Sequence, residues 1–196
     1  MKKINKNINL FVSLFFALFL CLTFVSCKEK KDEDELLALS LQEKFNQNLE
    51  DAKKLTVSYQ TKDNDIVVYE NTITLIIDSE TKENAQLIIK ESILNNKFEL
   101  DSNSETTDLT NINRKDYINV TFDKQYFTEI IKEETEVKLV VKSYFLESYL
   151  GYQDMTNLSK SANSVVTIEE ENISSIVTTY LSDSGKDITI AMNFNY

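Results

Sequence analysis

The sequence predicts an α+β domain. One N-terminal amphipathic helix packs on a highly curved antiparallel sheet of about seven to nine strands, half-open and barrel-like, with one short inserted helix. Three observations carry this expectation. Apolar residues recur at helical spacing from Leu37 to Ala52. From Leu55 onward the period changes to two, in runs rich in Val, Ile, Thr and Tyr. Late in the chain the polar connections Glu169-Glu170-Glu171-Asn172 and Asp183-Ser184-Gly185-Lys186 are short enough for hairpins.

The helix is expected over residues 36–54. Leu37, Leu41, Phe45, Leu49 and Ala52 form its apolar stripe, and Asn46, Gln47, Asn48, Glu50 and Asp51 cover the opposite side. Asp32, Glu33, Asp34 and Glu35 stand at its N-terminal end, where negative charge meets the positive end of the helix dipole. Glu50 and Lys54 add a favourable i,i+4 pair. An isolated helix of this length is marginal in water, so the stripe is expected to cover the sheet.

Leu55, Val57 and Tyr59 alternate with polar residues up to a turn at Lys62-Asp63-Asn64-Asp65. Residues 66–69 and 72–77 read as one strand kinked near Glu70-Asn71. After a polar connection at 78–84, residues 85–91 and 97–101 read as a hairpin around Asn95-Asn96. Ala85, Ile88, Ile89 and Ile93 also fit a helix, but the Ile content favours strand. Residues 102–115 (SNSETTDLTNINRK) carry no period and are expected to form a long mobile loop. Residues 116–122 set Tyr117, Asn119 and Thr121 against Ile118, Val120 and Phe122, which reads as strand. Asp123 then caps the short helix, whose face is Tyr126, Phe127, Ile130 and Ile131. Residues 136–145 alternate again, 146–162 are irregular, and 165–169, 173–182 and 187–195 close the chain as an antiparallel meander. The expected core contains Leu41, Phe45, Leu49, Ile73, Leu75, Ile77, Val137, Leu139, Val141, Ile188 and Ile190, most of it under a helix.

The beginning of the chain fixes the expected location. Lys2, Lys3 and Lys6 precede an apolar run at 10–24 whose polar members are Ser13 and Thr23. Phe24-Val25-Ser26-Cys27 follows, and then the charged block KEKKDEDE at 28–35. A positive head, an apolar centre and a small residue before the cut describe a secretory signal, shorter than a comfortable membrane span. Ser26 followed by Cys27 resembles a bacterial lipobox. That resemblance implies acylation of Cys27 and cleavage before it, and so a lipid-anchored protein of the bacterial cell envelope. Phe24 replaces the usual Leu, as in the looser lipoboxes of spirochaetes. The expected organisation is a signal over 1–26, an acylated cysteine and charged tether over 27–35, and a single α+β domain over 36–196.

Composition narrows the function. The first 26 residues hold three of the 21 basic residues and none of the 32 acidic ones, leaving 18 against 32 and a formal charge of −14. Nucleic acid is excluded as a partner, since phosphate neutralisation needs a basic face. Adhesion to anionic lipid through charge is disfavoured on the same ground, so the membrane contact should be the acyl chains. There is no His, Trp or Pro, and Cys27 is the one cysteine beyond the signal. Ser-His-Asp catalysis and His-ligated zinc are thereby excluded.

The remaining chemical signals are weak. Asp63-Asn64-Asp65 and Glu169-Glu170-Glu171 offer oxygen ligands to calcium, but both fall in expected turns and lack an EF-hand pattern. No metal site, cofactor or catalytic residue is expected. Ser26 and Ser184 have no G-x-S-x-G context, two glycines cannot build phosphate-cradling loops, and no carboxylate pair is singled out. Tyr144, Phe145, Tyr149 and Tyr152 form an aromatic cluster, read as cover over a sheet end ahead of a sugar- or lipid-lined mouth. Ile188, Ile190, Met192, Phe194 and Tyr196 resemble the closing strand of an outer-membrane barrel, yet Lys138 and Lys142 in an earlier strand favour a sheet in water.

The order of elements (tether, long amphipathic helix, consecutive antiparallel strands, inserted helix) resembles the periplasmic lipoprotein-carrier and LppX-like half-barrel fold. That resemblance implies an acyl ligand held under the helices. Two functions follow. The first is a non-enzymatic lipoprotein of interaction or structural role, with a protein partner. The alternative is a carrier or binder of an apolar, lipid-like small molecule in the concavity of the sheet.

Overall fold

The computed structural model describes residues 32–151 and 161–196. The expected signal over 1–26, Cys27, residues 28–31 of the charged tether and Tyr152 lie outside the described residues. Within them, the chain starts in the middle of its sheet and ends there. Helix α1 (Glu33–Asp51) leads into β1 (Lys54–Asp63), β2 (Ile66–Ile77), β3 (Ala85–Leu94) and β4 (Leu100–Leu109). The chain then crosses over to β5 (Phe127–Lys132) and returns through β6 (Glu136–Val141), the short helix α2 (Leu146–Leu150), β7 (Ala162–Glu169), β8 (Asn172–Leu181) and β9 (Asp187–Asn195). The strands form one sheet of nine in the order β4-β3-β2-β1-β9-β8-β7-β6-β5. Every pairing is antiparallel, and β4 and β5 are its two open edges. Pairing of β1 with β9 from Lys54↔Asn195 to Lys62↔Asp187 joins the first strand to the last.

Helix α1 forms where the stripe places it, starting three residues earlier and ending three earlier than expected. Glu33–Glu35, assigned to the tether, are already helical, and Asp34–Tyr196 is one compact unit. Ala38, Leu41, Phe45, Asn48 and Leu49 are its buried residues. The last turn has no basic residue of its own. Arg114 replaces it: its guanidinium donates to the carbonyls of Leu49 at 2.6 Å and Ala52 at 3.2 Å, and to that of Glu50. These are carbonyls a helix end leaves unpaired, at the negative end of the dipole.

Turn chemistry sets the hairpins. Asn64 (φ 50°) and Asp65 (φ 66°) link Asp63 to Ile66, as do Glu170 (φ 47°) and Glu171 (φ 69°) between Glu169 and Asn172. Two consecutive left-handed residues are the type I′ geometry that suits a right-handed strand twist. Asn and Asp tolerate it; two glutamates hold it under strain. Gly185 (φ 78°) supplies the positive φ of the last turn.

Five expectations are corrected. Residues 102–109, expected in a mobile loop, belong to β4, paired with β3 from Ala85↔Leu109 to Leu94↔Leu100. Backbone pairing made the strand without any apolar period, because neither of its faces is buried. Residues 116–122 are not a strand. Ile118, Val120 and Phe122 do point inward, but their backbone bonds Gln42 and Tyr149 instead of a neighbouring strand. The helix after Asp123 is only a 3-10 turn, Lys124–Tyr126, capped by the Asp123 carboxylate, and β5 follows. The register shift after Phe127 puts Phe127 and Ile130 on the inner side and leaves Ile131 on the exposed one. The strand at 136–145 stops at Val141, where a 3-10 turn at Ser143–Phe145 leads into α2. The kink expected in β2 near Glu70-Asn71 is displaced to a bulge at Val68, which has no partner in β1 between Thr61↔Tyr69 and Lys62↔Val67.

Of the expected core, Ile73 alone is only partly buried. It sits opposite Val57 and Ile89, where the sheet begins to lose its cover, and Ile89 is itself exposed. The hairpin expected around Asn95-Asn96 is present, with both strands longer than their apolar residues suggested.

Candidate binding surface

One face of the sheet is covered at the β5–β9 side and bare toward β4. Phe45 of α1 packs edge-on against Phe122 (centroids 6.2 Å) and Phe194 of β9 (5.9 Å). Phe122 and Phe127 both meet the ring of Tyr149 in α2, at 5.7 and 5.4 Å. Offset and edge-to-face rings of this kind add to the burial of large apolar area. Beneath them lie Leu139, Val141, Val166, Ile176 and Met192, all at most 1% exposed. Leu41, Phe45 and Leu49 of α1 belong to the same cluster of buried residues as these strands.

Tyr149 shows how polar groups are accommodated there. Its hydroxyl is 2.8 Å from Ser164 Oγ, which is 2.9 Å from Thr178 Oγ1, all three buried. Register puts Ser164 opposite Thr178, so two neighbouring strands supply the hydroxyls. Burial holds the Tyr149 phenol well above its ordinary value, against the pull of those two hydroxyls. The aromatic cluster of the sequence is split by this packing. Tyr149 is core, whereas Tyr144 is 73% exposed and leans on Phe145, which stacks on Tyr126 at 4.8 Å.

A second buried polar group clamps the strained β7–β8 turn. Asn48 of α1 is 3% exposed; its side-chain oxygen accepts from the Ile173 N–H at 2.6 Å and its amide donates to Asn172 Oδ1 at 2.9 Å. One turn earlier, Lys44 Nζ donates to the Glu171 carbonyl at 2.6 Å. The acidic runs Asp63-Asn64-Asp65 and Glu169-Glu170-Glu171 both serve as turns. Among the described residues no three acidic or cysteine side chains come together as a metal-holding group.

The bare part of the face belongs to β3, β4 and the far ends of β1 and β2, beyond Val57 and Ile73. Register aligns Tyr59 with Asn71, Asn71 with Glu91, and Glu91 with Asn103 across four strands. Tyr69 donates to Glu91 at 3.0 Å, receives the Asn71 amide at 3.4 Å, and meets the Tyr59 ring at 6.0 Å. Burial and the Glu91 carboxylate hold the Tyr69 phenol above its ordinary value, partly offset by the Asn71 amide. Asn71 Oδ1 is buried and, among the described residues, accepts no hydrogen bond.

Beyond this row every residue of β4 from Leu100 to Asp108 is exposed. A cleft of about 370 Å³ opens at one end of β4, lined by Glu91, Ile93, Asp101 and Asn103 among others. A second, of about 440 Å³, opens at the other end beside Ile76, Asp108 and Leu109. Sequence reasoning missed this surface, and it missed Arg114 and Asn48 as clamps. The available signal for Asn48 was its spacing, three positions beyond Phe45 and next to Leu49. For β4 the side chains carried no such signal: Thr106 and Thr107 favour strand, but Asp101, Asn103 and Asp108 oppose it.

The fold and surface define an antiparallel nine-stranded sheet domain with one packed helix and an uncovered wing. No family model matches the sequence, and no curated protein does. Among solved structures the chain is similar to EF1p2_mFAP2b bound to DFHBI (8% identity, TM-score 0.27, covering 76% of this chain and 96% of that one). It is similar to a redesigned β-barrel, mFAP1, bound to DFHBI (10% identity, TM-score 0.23, 75% and 95%). It is also similar to the dehydratase domain from the CurK module of curacin polyketide synthase (8% identity, TM-score 0.25, 82% and 79%). Likenesses at these TM-scores assign no ligand and no activity.

Proposed function

We propose that the chain is an exported protein held at a bacterial membrane by acyl chains on Cys27, with a non-enzymatic interaction or structural role at the cell envelope. The anchor rests on sequence: the positive head Lys2-Lys3, the apolar run at 10–24, and Ser26 ahead of Cys27. Residues 28–32, between Cys27 and α1, include no apolar residue, so they carry the body off the bilayer.

The observation that carries the interaction role is the uneven distribution of burial across the sheet. The β5–β9 side, α1 and parts of β1 and β2 share one buried core, whereas β3 and β4 contribute a single buried apolar residue, Ala85. A wing of two ten-residue strands adds little to the core, so what it offers is surface. The alternative function, an apolar lipid-like ligand in a half-open barrel, requires α1 to lift from Phe122 and Phe194. The edge-to-face packing of Phe45 on both rings favours the interaction role.

Replacing Cys27→Ser tests the anchor. The variant is expected to accumulate as precursor and to leave the detergent phase, while the parent partitions into it. Processing and partitioning equal to the parent would remove the anchor from this reading. Protease applied to intact cells then distinguishes a surface-facing from a periplasmic body.

A further inference from the structure

We infer that the outer edge of β4 pairs with an extended, basic segment of a partner protein, adding a tenth strand to the sheet. The inference rests on the interaction role proposed above and names the kind of partner.

The edge is open and regular. The Asn95 N–H donates to the Glu99 carbonyl at 2.8 Å, which sets the phase of the β3–β4 ladder. With the register running without a shift from Leu94↔Leu100 to Ala85↔Leu109, Ser102, Ser104, Thr106 and Asp108 turn their N–H and C=O groups away from β3. Among the described residues no hydrogen bond reaches those groups. Natural sheets guard such an edge with bulges, shortness, Lys or Pro. The opposite edge does so: β5 has six residues, ends in Lys132, and carries a register shift between Phe127 and Glu129. β4 has ten residues, no bulge, no Lys and no Pro; its only charges are the carboxylates Asp101, Glu105 and Asp108.

Charge selects the occupant. Alternation places Asp101 and Glu105 of β4 on the same face as Glu91 of β3, and that face of β3 and β4 carries no Lys or Arg. Glu91 lines the cleft at the Leu100 end together with Asp101. A second copy of this chain brings no cation to that face: the central antiparallel self-pairings set Glu105 against Glu105, against Asp101 or against the neutral Asn103. A partner strand with Lys or Arg at alternate positions meets these carboxylates instead. Its other side chains lie over Ser102, Ser104 and Thr106, which are short enough to leave the edge accessible. Main-chain hydrogen bonds supply the attachment and the alternating cations the choice of partner.

The test uses the full-length protein in detergent and a labelled nonapeptide alternating Lys and Thr. Three controls accompany it: the same peptide N-methylated at each Thr, a Glu/Thr peptide, and the protein variants Ser104→Pro and Glu105→Lys. Ser104→Pro removes one outward N–H and leaves the β3 pairing intact; Glu105→Lys leaves the backbone untouched. Fluorescence anisotropy is expected to show binding of the Lys/Thr peptide, about tenfold weaker or more for the methylated peptide and for each variant. The Glu/Thr peptide is not expected to bind. Equal binding of the methylated peptide, with Ser104→Pro as good as the parent, would show charge attraction without strand pairing and overturn the inference. No binding of the Lys/Thr peptide, with Cys27-dependent membrane partitioning intact, would also overturn it and leave the anchored interaction role standing.

Discussion

Asn48 and Ile173, 125 positions apart in sequence, are joined by a 2.6 Å hydrogen bond from the Ile173 N–H to the Asn48 side chain. Through it α1 fixes the start of β8, next to a turn whose two glutamates both hold positive φ. Asn48→Ala leaves that N–H buried and unpaired, which should cost about 1–3 kcal/mol. The measurement is the urea midpoint of unfolding. A midpoint unchanged from the parent would mean that the helix does not hold this turn.

Phe45 separates the two functional readings. It is 1% exposed and touches rings from the crossover segment and from β9. Phe45→Ala should therefore cost about 3–5 kcal/mol, a large share of a domain's stability. Near-parental stability combined with altered uptake of a fluorescent fatty acid would instead identify α1 as a lid, and the apolar-ligand function would replace the interaction role.

The two glycines predict contrasting outcomes. Both have positive φ, so an added Cβ is strained at either position. At Gly151 that Cβ would also lie 2.6 Å from the Asn119 carbonyl oxygen, whereas at Gly185 it meets nothing within 4 Å. Gly185→Ala should lose about 1 kcal/mol, and Gly151→Ala clearly more, because backbone must shift. Equal thermal midpoints for the two variants would contradict the close approach.

Acid sensitivity should include a contribution from Asp78. Its carboxylate accepts the N–H groups of Thr81 at 3.0 Å and Glu80 at 2.7 Å, and these bonds hold its pKa below the ordinary 3.8. A depressed carboxylate contributes stability that is present above its unfolded value and lost as pH falls through the folded one. Asp78→Asn should therefore be less stable than the parent at neutral pH, and the gap should close on acidification below 3.8. A gap independent of pH, followed by chemical denaturation, would assign the difference to something other than the ionised carboxylate.

The apolar pattern alone determined α1 and the closing strands, because in each of them one face is buried and the other is not; β1 and β2 bury a face only at Leu55 and Val57 and at Leu75 and Ile77. Leu41, Phe45 and Leu49 fall at helical spacing and are buried together; Ile188, Ile190, Met192 and Phe194 alternate and are buried together. β9 spans the residues its alternation predicted. Much less of the binding surface was legible. Residues 102–109 bury neither face, so nothing in their side chains distinguishes a paired strand from a loop; the β3 backbone decided it. The opposite case is 116–122, where alternation is strong and Ile118, Val120 and Phe122 are buried. Their backbone partners are the Gln42 side chain and the Tyr149 carbonyl, contributed by segments distant in sequence. Period reports which side chains face the core. Whether a neighbouring strand supplies the backbone hydrogen bonds depends on what the rest of the chain brings alongside, and only the tertiary structure decides that.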